Sequence, residues 1–194
     1  APYKRIGLRE CLEVARNNEH YKSAVAEGAG RGVAMGYWIN AGMQSSATLN
    51  VIADGHVAIL TGSPDIGGSR ASMALMASEV LGIPFEHIHP QVAATDAVGH
   101  TDLTGGSRTT LATGQAVIQA AEQCVAELCR RAAAEWEVEP GVVTWSQGAA
   151  HYDDQSLTFE ELASRAGAMG GPLTFSSSLT STSTAPGLSL IHIS

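Results

Sequence analysis

The stretch Asp65-Ile66-Gly67-Gly68-Ser69-Arg70 is nearly repeated later in the chain as Thr104-Gly105-Gly106-Ser107-Arg108-Thr109-Thr110. In both places an extended stretch passes into Gly-Gly-Ser-Arg, and a pattern typical of a long helix follows. Glycine adopts positive φ angles without strain and lets a ligand approach the backbone closely. The sequence therefore predicts two glycine turns, each leading into the N-terminus of a helix.

Both turns have the chemistry of an anion-binding site. Serine is a favoured N-cap residue, and the first turn of a helix presents unpaired N–H groups at the positive end of the helix dipole. Such a terminus binds phosphate, and Arg70 and Arg108 add planar sets of donors suited to phosphate or carboxylate. Helix capping alone explains one such turn, but capping does not require the repeated arginine. We therefore predict that the two turns hold one extended, phosphate-bearing ligand.

The remaining motifs do not identify a reaction that the protein catalyses. Neither turn has the Gly-Lys-Ser/Thr of a Walker A loop or the spacing of a dinucleotide fold, and His-Glu-x-x-His and Gly-x-Ser-x-Gly are absent. We expect Asp65 and Asp102 to brace the turns, and His100 is a site candidate for which a turn role is equally open. His87 and His89 are predicted to share one face of a strand as surface side chains. No metal ligand or catalytic base is predicted in this chain.

Composition restricts the class of protein. The chain has 194 residues and a net charge of −8, which argues against a basic nucleic-acid-binding face. Cys11, Cys124 and Cys129 have neither C-x-x-C nor zinc-site spacing, as expected for unreacted thiols in a reducing compartment. No apolar run approaches the roughly 20 residues of a membrane span, and no signal peptide opens the chain. We expect a cytoplasmic protein without a membrane span.

The hydrophobic pattern predicts an α/β (α+β) fold in which strands and a β-hairpin precede the two glycine-turn-to-helix units. The predicted elements are a helix at 6–20, a strand at 33–39, a hairpin at 47–60 around Asp54-Gly55, a helix at 69–81, a strand at 88–92, a loop at 93–106, a helix at 107–137, a hairpin at 142–152 and a short helix at 159–165. We expect an N-terminal helix and glycine-rich joint at 1–30, the folded domain at 31–175, and a Ser/Thr-rich end with a non-native tail at 176–194. The chain is expected to be a fragment.

The order of these pieces resembles the molybdenum-binding subunit of the xanthine dehydrogenase family, which includes aldehyde oxidases and carbon monoxide dehydrogenases. The resemblance covers roughly residues 5–165. The motifs that carry it are Arg9-Glu10-Cys11-Leu12, Asp54-Gly55-His56-Val57, Thr61-Gly62-Ser63-Pro64-Asp65-Ile66-Gly67-Gly68, Ala77-Ser78-Glu79-Val80-Leu81-Gly82-Ile83-Pro84, Gly106-Ser107-Arg108-Thr109-Thr110 and Gly114-Gln115-Ala116-Val117.

The resemblance implies that residues 31–175 are part of a molybdopterin-binding domain. The resemblance also implies that the ligand is the molybdenum-molybdopterin cofactor, expected in the cytosine dinucleotide form of bacterial members. The cofactor-binding residues would be Asp65, Ile66, Gly67, Gly68, Ser69, Arg70, Gly105, Gly106, Ser107, Arg108 and Thr109. It also implies a small-molecule substrate, 2Fe-2S and FAD on partner chains or domains in a hetero-oligomer, and a catalytic glutamate outside this fragment. The fragment alone is expected to be inactive.

One difference from the family concerns the first turn. Family members usually have Gly-Gln-Gly there, and the glutamine side chain reaches the cofactor, whereas this chain has Gly67-Gly68-Ser69. We hypothesise that Arg70 replaces the amide contact. Two alternatives stay open: a phosphate-binding domain of a nucleotide- or CoA-dependent transferase, and a non-catalytic scaffold that has lost the cofactor.

Overall fold

The computed structural model describes residues 7–34 and 40–181. The chain divides into two units, residues 1–40 with 183–194, and residues 41–182. Most of the predicted strand at 33–39 and all of the predicted tail at 188–194 lie outside the described residues, and residues 33–34 form no strand. No helix of the described part is long and apolar enough to cross a bilayer.

The first unit contains two helices where the sequence predicted one. Helix α1 spans Leu8–Asn17 and helix α2 spans Glu19–Lys22. Asn18 separates them because its backbone is extended, with φ −63° and ψ 140°. Its side-chain oxygen accepts a hydrogen bond from the His20 N–H at 2.9 Å, which caps α2. Residues 24–34 contain no helix or strand, in agreement with the predicted glycine-rich joint.

The second unit is built on a four-stranded sheet. Its strands are β1 (Met43–Val51), β2 (Val57–Thr61), β3 (Ile88–Val92) and β7 (Thr174–Ser181), in the order β3-β2-β1-β7. The predicted hairpin is confirmed, because β1 and β2 pair antiparallel up to Val51 and Val57 around the Asp54-Gly55 turn. Gly55 has a φ of 85° there, which glycine tolerates best.

Strand β7 was missed by the sequence analysis, which assigned residue 176 onward to a Ser/Thr-rich end. The strand pairs antiparallel with β1 from Met43↔Ser181 to Asn50↔Thr174. Every second residue from Phe175 is partly or fully buried, but Ser177 and Ser181 occupy two of these inward positions, so the apolar alternation is hidden. The fold therefore continues to Ser181, beyond the predicted end at 175.

Two helices pack against this sheet and against each other. Helix α3 spans Ser69–Leu81, as predicted, and helix α4 spans Gly114–Glu135. Helix α4 packs on β1 and β7, and α3 packs on β3. The fully buried side chains are mostly small or aliphatic: Ala47, Leu49, Val57, Ile59, Met73, Ala77, Leu81, Ala116, Val117, Ala120, Ala121, Cys124 and Leu128. The many alanines let α4 approach the sheet closely, and the predicted α+β class is confirmed.

A small sheet and a short helix complete the unit. Strands β4 (Thr144–Ser146), β5 (Ala149–Tyr152) and β6 (Gln155–Thr158) pair in that order, and helix α5 (Phe159–Ser164) follows. The hairpin was predicted and β6 was not. The predicted capping box is confirmed, because the Glu161 N–H donates to Thr158 Oγ1 at 3.2 Å and the Thr158 N–H donates to Glu161 Oε2 at 2.8 Å.

A buried arginine fixes the segment between α5 and β7. The Arg131 guanidinium donates to the carbonyls of Ala166 and Gly171 at 3.2 and 2.8 Å, and to Glu127 Oε1 at 2.8 Å. The guanidinium groups of Arg130 and Arg131 lower the pKa of Glu127 to about 2. The buried guanidinium of Arg131 therefore has a carboxylate partner in addition to the two carbonyls.

Candidate functional site

The two glycine turns leave the sheet at the same end. Strands β2 and β3 run parallel with Thr61 opposite Val92, so their carboxyl ends coincide. Strand β2 leads into residues 64–70, here called the first turn, and β3 leads through residues 93–103 to residues 104–109, the second turn. In open α/β sheets, ligands bind outside the carboxyl ends of the strands. The structure therefore brings both predicted turns to the end of the sheet at which a ligand is expected.

Asp65 braces the first turn, as the sequence analysis expected. Its Oδ1 accepts hydrogen bonds from Ser69 Oγ at 3.2 Å and from the Arg70 N–H at 3.1 Å. Its Oδ2 lies 3.1 Å from Nε of Arg70. The backbone N–H of Arg70, followed by its guanidinium, lowers the pKa of Asp65. The carboxylate thus occupies part of the helix terminus that the sequence analysis assigned to an external anion.

The glycines of the first turn present accessible backbone donors. Gly67 and Gly68 have φ angles of 58° and 85°, and a Cβ added to either would meet nothing within 4 Å. Within residues 7–34 and 40–181, the N–H groups of these two glycines have no hydrogen-bond acceptor. Two neighbouring N–H groups in open space suit an incoming polar or anionic group.

Ser69 was predicted to be the N-cap of α3, and this prediction was wrong. Gly68 takes the N-cap position, and Ser69 is the first helical residue. Because Ser69 is one residue further along, its hydroxyl faces back into the turn and accepts a hydrogen bond from the Ile66 N–H at 3.1 Å. The serine therefore stabilises the turn internally, and the Ile66 side chain stays exposed.

The second turn is held more tightly than the first. Gly106 has a φ of 57°, its carbonyl accepts a hydrogen bond from the Ala41 N–H at 3.0 Å, and an added Cβ would lie 2.7 Å from the Ala41 Cβ. Ser107 is exposed with a φ of 53°. Helical backbone begins at Arg108, one residue after the predicted start, but residues Thr109–Thr113 form one wide π-helical turn that was not predicted, and α4 begins at Gly114.

The guanidinium of Arg108, which was predicted to bind an anion, has acceptors within the protein. Its side chain is 0 % exposed. Its five N–H donors are all used: Nε donates to Gly42 O at 2.9 Å, Nη1 to Asp102 O at 2.8 Å and Leu103 O at 3.3 Å, and Nη2 to Gln44 O and to Ser45 Oγ. Burial lowers the pKa of Arg108. The arginine instead fixes the start of β1 against the segment before the second turn.

The other predicted site residues of the second turn lie around this arginine. Thr109 is buried, and its Oγ1 donates to Thr104 Oγ1 at 3.4 Å. Gly105 accepts a hydrogen bond from the Arg108 N–H at 3.3 Å. In the described part of the chain, the N–H groups of Gly105 and Gly106 have no acceptor. The second turn therefore offers backbone donors, as the first does.

His100 also reaches this end of the sheet. Its Nε2 lies 3.2 Å from Asp102 Oδ1, and Asp102 Oδ2 accepts a hydrogen bond from the Gln44 N–H at 2.7 Å. The Gln44 N–H and the His100 ring lower the pKa of Asp102. A cavity of about 200 Å³ beside this pair is lined by Gln44, Ser45, His100, Ser178, Leu179 and Thr180.

His87 and His89 lie at the other end of the sheet. His87 is in a short 3₁₀ helix (Phe85–His87), so the prediction that both residues share a strand was wrong. Both rings lie against His56, with centroids 4.7 and 5.3 Å away. Among the described residues, no group of three or more His, Cys, Asp or Glu side chains is arranged to hold a metal ion.

Three buried hydroxyl residues at the base of the turns were missed by the sequence analysis. Thr113 Oγ1 lies 2.8 Å from Ser45 Oγ and 2.8 Å from Ser63 Oγ. Ser and Thr in such positions resemble ordinary turn and helix residues in sequence. The one available signal was the polar pair Ser45-Ser46, which interrupts the inward apolar pattern of β1.

Comparison with known proteins identifies the family. Residues 8–188 match the model described as the molybdopterin cofactor-binding domain. The chain belongs to this family. The resemblance derived from the motifs is thereby confirmed.

The relatives of this molybdopterin cofactor-binding domain are large oxidoreductases. The chain is 37% identical over 118 residues to xanthine dehydrogenase of Drosophila subobscura, covering 59% of this chain and 8% of that protein. It superposes on a Cu,Mo-CO dehydrogenase with a TM-score of 0.69 and 24% identity, covering 74% of this chain and 21% of that one. For quinoline 2-oxidoreductase of Pseudomonas putida 86 the TM-score is 0.63 at 20% identity, with 72% and 19% covered. These structures share the fold, and the chain spans a small part of each relative.

Proposed function

We propose that this domain is the cofactor-binding portion of a molybdenum hydroxylase and that its two glycine turns hold the molybdopterin cofactor. The supporting observation is the pair of glycine turns at one end of the sheet, each with backbone N–H groups that have no acceptor among the described residues. Membership of the molybdopterin cofactor-binding family supports the choice of ligand.

The residues present fit a phosphate-bearing pterin. Gly67 and Gly68 combine open space with free N–H donors, and Gly105 and Gly106 add a second pair. Arg70 supplies a guanidinium that is 50 % exposed at the edge of the first turn. Ser107 is exposed beside the second pair. Arg108 is excluded from direct contact, so we assign anion binding to Arg70 and the backbone, with Arg70 replacing the glutamine of the family's Gly-Gln-Gly.

When bound, the cofactor would supply two-electron oxidation of a C–H bond in which water provides the oxygen. The residues of this chain would bind and orient it and exclude water. We propose an aldehyde or an N-heterocycle as substrate, the cytosine dinucleotide form of the cofactor, and a catalytic glutamate elsewhere in the parent protein. Electrons would pass to 2Fe-2S and FAD on partner chains or domains of a cytoplasmic hetero-oligomer.

The first experiment is to measure molybdenum and released pterin nucleotide in the full-length parent, expressed with its neighbouring subunits. Stoichiometric molybdenum with a cytosine nucleotide is the expected result. Well-folded protein that contains neither would overturn the proposal and leave the non-catalytic scaffold.

A pair of matched variants tests the turn itself. Gly67→Ala adds a Cβ to the first turn, where the cofactor must approach, and we expect it to lower the molybdenum content. Gly171→Ala is the control, because Gly171 also has a positive φ, 97°, and open space around it, but follows α5. Equal molybdenum in the two variants would remove the first turn from the binding site.

A further inference from the structure

Three buried hydroxyl groups join the bases of the two turns. Ser63 immediately precedes the first turn, Thr113 ends the wide helical turn after the second, and Ser45 lies on β1. Thr113 Oγ1 lies 2.8 Å from the hydroxyl oxygens of both serines. All three residues are at most 2 % exposed, so a hydroxyl that loses its partner is left buried.

Arg108 adds a cation to one end of this group. Its Nη2 donates to Ser45 Oγ, and a guanidinium can only donate. An ordered chain of hydrogen bonds can therefore run from Arg108 through Ser45 and Thr113 to Ser63, with Ser45 and Thr113 each accepting from one neighbour and donating to the next. Hydrogen bonds in such chains polarise and strengthen one another. The chain starts in the second turn and ends at the base of the first.

Helix packing at the same place provides a second connection. Gly114 directly follows Thr113, and a Cβ added to it would lie 2.5 Å from Sδ of Met76 on α3. The start of α4 thus packs directly on the helix that the first turn begins. The wide turn Thr109–Thr113 precedes this contact, and π-helical turns are frequent at functional sites.

We propose that Thr113 is a positioning residue that couples the two turns through Ser63 and Ser45. Loss of its hydroxyl leaves two buried serines without their shared partner, so the bases of both turns become free to move. The coupling itself follows from the protein structure alone. Its consequence for the cofactor rests on the proposed function.

Hydrogen–deuterium exchange on the cofactor-free full-length protein tests the coupling. Ser63→Ala should speed exchange of the Arg108 amide, which is hydrogen-bonded to Gly105 O in the second turn, about fivefold, the factor expected for one buried hydrogen bond, although Ser63 lies outside that turn. Thr113→Val should speed exchange in both turns by at least as much. Thr113→Ser keeps the hydroxyl and should restore the wild-type rates.

Ser177→Ala is the matched control for Ser63→Ala. Ser177 is also a buried serine of this sheet, but its hydroxyl donates to Gln119 Oε1 at 2.8 Å, away from the turns. Exchange in the turns should not change in this variant. The coupling is overturned if Ser63→Ala affects the first turn alone, or if Ser177→Ala speeds exchange in both turns equally.

Cofactor release gives an independent measurement. The loaded parent carrying Thr113→Val should release pterin about fivefold faster than wild type, and Thr113→Ser should not. Parent protein that never contains molybdenum would defeat the proposed function and leave the exchange test valid. Normal cofactor content with unchanged exchange in all variants would defeat the coupling and leave the proposed function intact.

Discussion

The two glycine turns share Gly-Gly-Ser-Arg but use the arginine in opposite ways. In the first turn, Arg70 is half exposed and forms an ion pair with Asp65, with Nε 3.1 Å from the carboxylate. In the second turn, Arg108 is fully buried and donates to carbonyl groups and Ser45. One arginine is available to a ligand, and the other holds the protein together.

The difference arises from where each helix begins. Helix α3 starts at Ser69, so Arg70 is its second residue. After the second turn, Ser107 takes a φ of 53°, and Arg108 is the N-cap of the π-helical turn that starts at Thr109. Arg108 therefore lies at the start of its helical segment, whereas Arg70 lies inside α3. A repeated motif therefore does not imply a repeated role for its charged side chain.

The largest predicted effect is that of Arg108→Met. Removing the buried guanidinium breaks its hydrogen bonds to four carbonyls and to the Ser45 hydroxyl, so we expect the free energy of unfolding to fall by at least about 3 kcal/mol. Chemical denaturation of the full-length protein measures this. Arg70→Met is the control in the same motif and should leave the denaturation midpoint unchanged. Equal midpoints for the two variants would contradict the contrast between the arginines.

The next prediction compares the stability of alanine variants at Gly106 and Gly67. In Gly106→Ala, the new Cβ would lie 2.7 Å from the Ala41 Cβ at a φ of 57°, so the second turn must shift. We expect a loss of about 2–3 kcal/mol in the free energy of unfolding. Gly67→Ala has nearly the same φ, 58°, with open space, so it should cost only about 1 kcal/mol. Thermal unfolding of both variants checks the order, and a reversed order would show that the second turn is not the tighter one.

A smaller effect concerns Arg131, the second buried arginine. Its partner is the carboxylate of Glu127, so its contribution to stability should depend on pH. The pKa of Glu127 falls from 4.5 to about 2 beside Arg130 and Arg131. A carboxyl with a depressed folded-state pKa stabilises the protein above its ordinary pKa, and this contribution disappears as the pH falls to about 2. Glu127→Gln should therefore cost about 1 kcal/mol at pH 7 and nothing near pH 2. Denaturation curves at both pH values measure the difference, and a cost that does not vary with pH would contradict it.

Local chemistry was sufficient to predict part of this fold. The Asp54-Gly55 hairpin, the α3 boundaries before Gly82 and the Thr158–Glu161 capping box all depend on residues that are near in sequence. Strand β7 could not be predicted in the same way, because its partner β1 is more than 120 residues away and buried serines replace the apolar alternation.

In the candidate site, too, contacts between residues that are far apart in sequence could not be predicted. The glycine turns and the bracing role of Asp65 follow from local patterns, and the structure contains both. The burial of Arg108 depends on acceptors at Gly42 and Gln44, more than 60 residues earlier, which no local pattern contains. The bridge through Thr113 likewise joins positions 50 and 68 residues apart. Turns that depend on neighbouring residues can therefore be predicted from sequence more readily than the distant contacts that hold them in place.

Arg70→Ala should have the smallest effect on stability and a clear effect on ligand binding. Asp65 would keep its hydrogen bonds from the residue 70 N–H and from Ser69, so the turn should retain its shape and the denaturation midpoint should not move. If the guanidinium replaces the family's glutamine, loss of this charged donor should weaken cofactor retention about tenfold, and Arg70→Lys should restore part of it. Pterin release from the loaded parent measures this. Unchanged release would show that the backbone donors of Gly67 and Gly68 hold the cofactor without the arginine, and the contrast between the two turns would then concern folding alone.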